Sequence, residues 1–175
     1  MKISTRFRRV SIGLCLMLFF LVFLGNQNLK AQVTVTGASA GNGSYSTLNS
    51  AIAAIVGSSQ TGASISVSIT GNTTEGSSPT VITAGDWTSL TISPSGGNFS
   101  ISGNPAGGVA MVQLDGADNV TINGLNSGGN SLTIVNTTVS GTSGTSTIRL
   151  FNDASNNLIT NCTILGGFTA AVTTN

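Results

Sequence analysis

Residues 115–126 read D-G-A-D-N-V-T-I-N-G-L-N, and residues 153–164 read D-A-S-N-N-L-I-T-N-C-T-I. Laid over one another without a gap, Asp115 answers to Asp153, Asn119 to Asn157, Val120 to Leu158 and Asn123 to Asn161. A polar turn ending in Asn, a short β-prone run and a second Asn therefore occur twice. Self-similarity at a fixed offset is the mark of a repeated structural unit. The offset of 38 residues corresponds to two coils of roughly 19 residues, or to one larger coil. Asn tolerates the left-handed backbone that corners need. Its side-chain amide can also bond its counterpart one coil on. Asn119, Asn123, Asn157 and Asn161 are accordingly expected as corner and ladder residues.

Short strand-like runs surround this repeat. Residues 32–36 alternate apolar and polar, and residues 63–70 do so cleanly, with Ile65, Val67 and Ile69 on one face. Further runs follow at residues 80–83, 89–93, 98–102 and 109–114, then around Val120, Leu132, Ile148 and Leu158. Gly, Asn or Asp interrupts nearly every pair. Period-2 alternation bounded by such residues predicts strands. One stretch differs. Leu48, Ile52 and Ile55 fall at i, i+4 and i+7 among alanines, which predicts a helix over residues 46–56. Ser46 or Thr47 can cap its start and Gly57 can end it. A short amphipathic helix ahead of a stack of strands can cover the open end of that stack.

The first 31 residues are of another kind. Lys2, Arg6, Arg8 and Arg9 precede an apolar run over residues 10–24, and a polar stretch ends in K-A-Q. This is the plan of a secretory signal peptide, with cleavage expected after Ala31. The chain then divides into residues 1–31 as signal peptide, 32–62 as first strand and capping helix, and 63–175 as β-helix coils. Five of the six basic residues lie in the first 30 positions, so from Gln32 onward one positive charge faces five negative ones, a balance of −4. That balance gives no footprint for nucleic acid and no polybasic patch for a membrane surface after cleavage. His is absent and Cys162 is the one Cys after the leader, which excludes a Cys/His metal site and an internal disulfide in that part.

The runs D-N-V-T-I-N-G-L (118–125) and S-T-I-R-L-F-N-D-A-S-N-N-L-I-T-N-C-T-I (146–164), with a leader ending K-A-Q, resemble large secreted β-helix proteins of Bacteroidetes-type bacteria. Those are similar to the pectate-lyase-like right-handed parallel β-helix. The resemblance implies an all-β solenoid, a right-handed parallel β-helix with a short N-terminal capping helix. It also implies export to the cell surface or medium and adhesin-like members. Such proteins are usually longer and end in a sorting domain. Residues 168–175, F-T-A-A-V-T-T-N, look like the start of another coil, so the remainder of a longer chain is expected.

Chemistry is harder to place. Lyases of this fold need a strong base, usually Arg or Lys, and typically calcium held by carboxylates. Hydrolases need two carboxylates flanking the scissile bond. Arg149 alternates with Ile148 and Leu150 and is expected to face solvent. Asp115 and Asp118, three apart on one turn, are the candidates for a calcium ion or for acid/base work. Asp153 repeats Asp115, but Asn156 stands where Asp118 would recur, which suits a turn former. The sequence therefore predicts a non-enzymatic surface module that contacts polysaccharide or cell-surface glycan, with no cofactor and no catalytic residue. The alternative is a polysaccharide lyase or glycoside hydrolase whose site lies in further C-terminal coils.

Overall fold

Strands form in this chain where Val, Ile and Leu alternate with Ser and Thr, because successive side chains on a strand point to opposite faces. A computed structural model describes residues 31–167. The expected leader up to Lys30 and the further coil at 168–175 lie outside the described residues. The first elements are β1 (Val33–Thr36), β2 (Gly43–Tyr45) and helix α1 (Leu48–Val56). Three strands follow, β3 (Ser64–Ile69), β4 (Thr73–Thr74) and β5 (Thr80–Thr83), then β6 (Ser89–Pro94), β7 (Asn98–Gly103) and β8 (Ala110–Asp115). The last are β9 (Val120–Asn123), β10 (Ser131–Asn136), β11 (Ser146–Phe151), β12 (Leu158–Thr160) and β13 (Cys162–Gly166). The described chain is thus mostly β with one short helix.

From β3 on, consecutive strands visit three sheets in rotation. The first sheet runs β12-β9-β6-β3-β1-β2, the second β13-β10-β7-β4 and the third β11-β8-β5. Every pairing among β3 to β13 is parallel, so each circuit of three strands lies directly on the one before. Register keeps like residues in ranks. Val67 stands level with Ile92, Ile92 with Ile122, and Ile122 with Ile159. On the second sheet Thr73, Ile101, Ile134 and Ile164 form another rank. On the third, Ile82, Leu114 and Leu150 do. The inward members from the first two circuits are fully buried in one core. Burying an Ile or Leu side chain stabilises by about 1.5–3 kcal/mol, so the ranks are the main source of cohesion. Toward the far end they thin out. Leu150 is 46 % exposed and Ile164 47 %.

At the other end the pattern is closed differently. β1 pairs antiparallel with both β2 and β3. Helix α1 lays Leu48, Ala51, Ile52 and Ile55 into the core, packed on β5, β1 and β2. It begins two residues later than the periodicity predicts, because Thr47 is the N-cap. Its backbone is extended and its hydroxyl oxygen accepts from Ser50 N at 3.1 Å. Strands β2 and β4 and the residue after β4, Glu75, fall outside the runs that alternation predicts. In the structure Glu75 is buried, and its two carboxylate oxygens accept from Leu48 N at 3.0 Å and Asn49 N at 2.7 Å. A carboxylate there meets both the unpaired amides and the positive end of the helix dipole.

Two consequences are measurable by chemical denaturation. Replacing Glu75 by Ala is expected to cost about 2 kcal/mol, the range for hydrogen bonds to a charged group. A loss no larger than that of an exposed-site control would remove the capping role. Thr80 has a buried hydroxyl with no partner, in rank with Val112 and Ile148. Thr80→Val is expected to stabilise by about 1 kcal/mol, since an unsatisfied buried group is removed without loss of shape.

Candidate functional site

The repeated turn lies where the chain passes from the third sheet to the first, at residues 116–119 in one circuit and 152–157 in the next. Its stacking differs from the gapless 38-residue overlay. Phe151 pairs with Asp115 at an offset of 36, and Ile159 pairs with Ile122 at 37. Only the Asn161–Asn123 side-chain bond falls at 38. The repeat is therefore one larger coil of uneven corners: the offset rises from 36 to 38 through the repeated turn and falls to 30 where Leu132 pairs with Cys162. A one-residue slip moves a strand's side chains to the opposite face. The overlay set Leu158 on the buried Val120. In the structure Leu158 is 53 % exposed, level with Thr121, and Ile159 takes the inward place.

The four asparagines divide accordingly. Asn119 and Asn161 hold positive φ, 57° and 55°, and so form corners. Asn161 Nδ2 donates to Asn123 Oδ1 at 3.1 Å, a rung between circuits. Asn119 Oδ1 accepts from the amide of Asn156, not from Asn157. Asn156 also holds positive φ, at 54°. Asn157 instead fastens backbone: its Oδ1 accepts from Val120 N at 2.9 Å and its Nδ2 donates to Ala117 O at 2.7 Å. Gly124 is required beside this ladder. A Cβ there would stand 2.1 Å from Asn161 O, so no other residue lets the two circuits approach so closely.

The two candidate carboxylates are drawn into the same stitching. Asp118 Oδ1 accepts from both Ser155 N and Ser155 Oγ at 2.7 Å, and these bonds hold its pKa below the usual carboxylate value. Asp115 Oδ1 accepts from Asn152 Nδ2 at 2.6 Å. Calcium takes six to eight oxygen ligands. Among the described residues no three acidic, His or Cys side chains converge on one point, and the described partners of these two aspartates are Ser155 and Asn152. Arg149 is exposed, as its alternation predicts, and its guanidinium lies 4.7 Å from the centre of the Phe151 ring. Cys162 is half-buried, and burial pushes its thiol pKa up.

A second feature was not legible beforehand. A cleft of about 540 Å³ opens between the end of α1, residues 56–59, and the corner at 84–87. Trp87 forms its wall. The ring is 4 % exposed, its Nε1 donates to Asp118 O at 2.8 Å, and it lies so close to Gly85 that a Cβ there would enter the ring. At the rim, Asp86 gathers the loop after α1. Its Oδ1 accepts from Gln60 N at 2.6 Å, and its Oδ2 accepts from Ser59 Oγ at 2.6 Å and Thr61 Oγ1 at 2.5 Å. Buried Gln60 bonds Ile55 O, Ala40 O and Ser39 N, which ties the helix end to the first loop. No sequence signal marks Asp86 or Gln60, since apart from the Gln60 bond to Ile55 their partners lie 20 or more residues away. No family model, curated protein or solved structure matches the chain.

The Ser59 and Thr61 hydroxyls and the Gln60 amide lower the Asp86 pKa from 3.8 to about 2. A carboxylate depressed in the folded state contributes stability above its unfolded pKa and loses it as pH falls through the folded value. Acid titration followed by circular dichroism is therefore expected to show stability declining from about pH 4 to about pH 2. Asp86→Asn should flatten part of that decline. An unchanged acid limb would assign it to other groups.

Proposed function

We propose that the chain is part of a secreted or cell-surface right-handed parallel β-helix that makes contact with glycans or other surfaces and carries out no reaction of its own. The observation that carries the reading is the rotation of strands through three parallel sheets, circuit on circuit, with the corners joined by side chains of successive circuits. Such a stack holds its outer faces and edge loops rigidly in a row, as an extended contact surface requires. A right-handed path is the sense in which nearly all parallel crossovers run. The resemblance of the 115–164 region to exported β-helix proteins supports the surface location, and so does the basic and apolar leader.

A further circuit over Leu150 and Ile164 belongs to the same proposal, since both point inward yet stand about half exposed. On this reading Asp115 and Asp118 are corner residues, and the surfaces that meet a partner are the strand faces and the loops between sheets. The loops from the second sheet to the third lengthen along the stack, from residues 75–79 to 104–109 to 137–145.

The test is incubation of the protein with acidic and neutral polysaccharides, with and without calcium. Retention without turnover is expected. Release of unsaturated or reducing-end products would replace the proposal with polysaccharide cleavage.

A further inference from the structure

The outer face of the first sheet carries a two-dimensional grid of hydroxyl groups. Thr36 of β1 stands level with Ser66 of β3, Ser66 with Thr91 of β6, and Thr91 with Thr121 of β9. Two residues along the strands, Thr34, Ser68 and Ser93 form a second rank. Between the two ranks, Val35, Val67 and Ile92 point the other way and are buried to within 1 %, so the core fixes the backbone that holds the grid.

Three properties set this face apart. Its hydroxyls are unspent, because none of the seven bonds another described residue. On the second sheet, by contrast, Ser102 Oγ donates to Thr73 O at 3.2 Å and Ser131 Oγ to Asn98 Oδ1 at 3.0 Å. It carries no charge. The ionisable side chains from Glu75 to Asp153 sit at corners or on the third sheet, Arg149 among them. And it is regular, since the four strands stay in register without a bulge.

We propose that this face binds the surface of ice. Neighbouring strands are about 4.8 Å apart and alternate residues on one strand about 6.6 Å apart, so the hydroxyls recur at fixed intervals in two directions. Oxygen atoms in hexagonal ice also recur in two directions on intervals of the same order, near the strand spacing in one and somewhat longer than the along-strand spacing in the other. A neutral lattice of water offers donors and acceptors to every hydroxyl and accommodates no ion, which the uncharged face matches. Four strands in one hydrogen-bonded sheet hold the groups in place before contact, so little order is lost on binding. A sugar surface is the competing partner for a hydroxyl grid. It finds no aromatic side chain here to stack on, and a polysaccharide chain repeats along one direction only.

The experiment uses the full chain in dilute buffer, with partition into slowly growing ice and the shape of single ice crystals as readouts. The protein is expected to enter the ice and to facet the crystals. Thr91→Tyr at the centre of the grid should reduce partition several-fold, while Thr133→Tyr on the outer face of the second sheet should leave it unchanged. Ser66→Lys, which places a charge on the grid with little added bulk at the backbone, is the second variant. Melting curves identify any variant that fails to fold, and the folded one decides. Exclusion of the unmodified chain from ice overturns the proposal, and so does equal loss in Thr91→Tyr and Thr133→Tyr. Retention on an insoluble neutral polysaccharide that is lost in Thr91→Tyr, without entry into ice, would also overturn it and assign the face to sugar.

Discussion

The constraint on which the rest depends is that each strand finds its backbone partners in the circuits on either side of it. A strand of four to six residues is too short to hold alone, and buried N–H and C=O groups must be paired. Parallel register satisfies them and sets the side chains at the same time. Once Val67 lies level with Ile92, the inward ranks, the outward hydroxyls and the corners all follow. The fold is thus a sum of neighbour interactions. Each circuit is stabilised by the apolar rank beneath it and the ladder beside it, and contacts distant along the stack matter little.

That constraint explains why the polar residues gather where they do. A corner turns the chain from one sheet to the next and interrupts the backbone pairing. Asn and Asp supply what is lost. Asn119, Asn156 and Asn161 adopt the left-handed conformation, and Asp118 and Asn157 accept from amides of the adjoining circuit. Residues that looked like the chain's best candidates for chemistry are therefore the ones the architecture already employs. Asp86 does for the end of α1 what Asp118 does for a corner, with loop donors in place of the next circuit.

The strands and the helix were legible because their information is local. Alternation over residues 63–70 or 89–93 states the inward face directly, and Leu48, Ile52 and Ile55 state a helical one. The repeated turn was legible too, but its register was not. A gapless overlay maximises identity, while the structure is set by which side chain faces the core, and the two differ by one residue at Leu158 and Ile159. β4 was hidden because it is two residues long, and β2 because G-S-Y has no apolar rank of its own. Glu75, Gln60 and Asp86 were hidden for a different reason. Each completes partners 20 or more residues away, except for the Gln60 bond to Ile55, and no spacing in the sequence encodes such a bond.

The two ends of the described stack follow from the same rule applied in opposite ways. A parallel edge invites another strand, since its unpaired groups are a template. At the start the chain removes that invitation three times over. β1 reverses direction, so the first sheet continues antiparallel and then stops at a three-residue strand. The third sheet's first strand lies under α1. The second sheet begins with two residues only, too few to template a partner. Among the described residues β12 is again only three residues long, but it stays parallel to its neighbour, no helix packs on β11, and the inward Leu150 and Ile164 stand about half exposed. Covering the exposed halves of Leu150 and Ile164 would contribute roughly 1 kcal/mol each. The apolar ranks are thus covered by α1 at one end of the described stack and stand half open at Leu150 and Ile164 at the other.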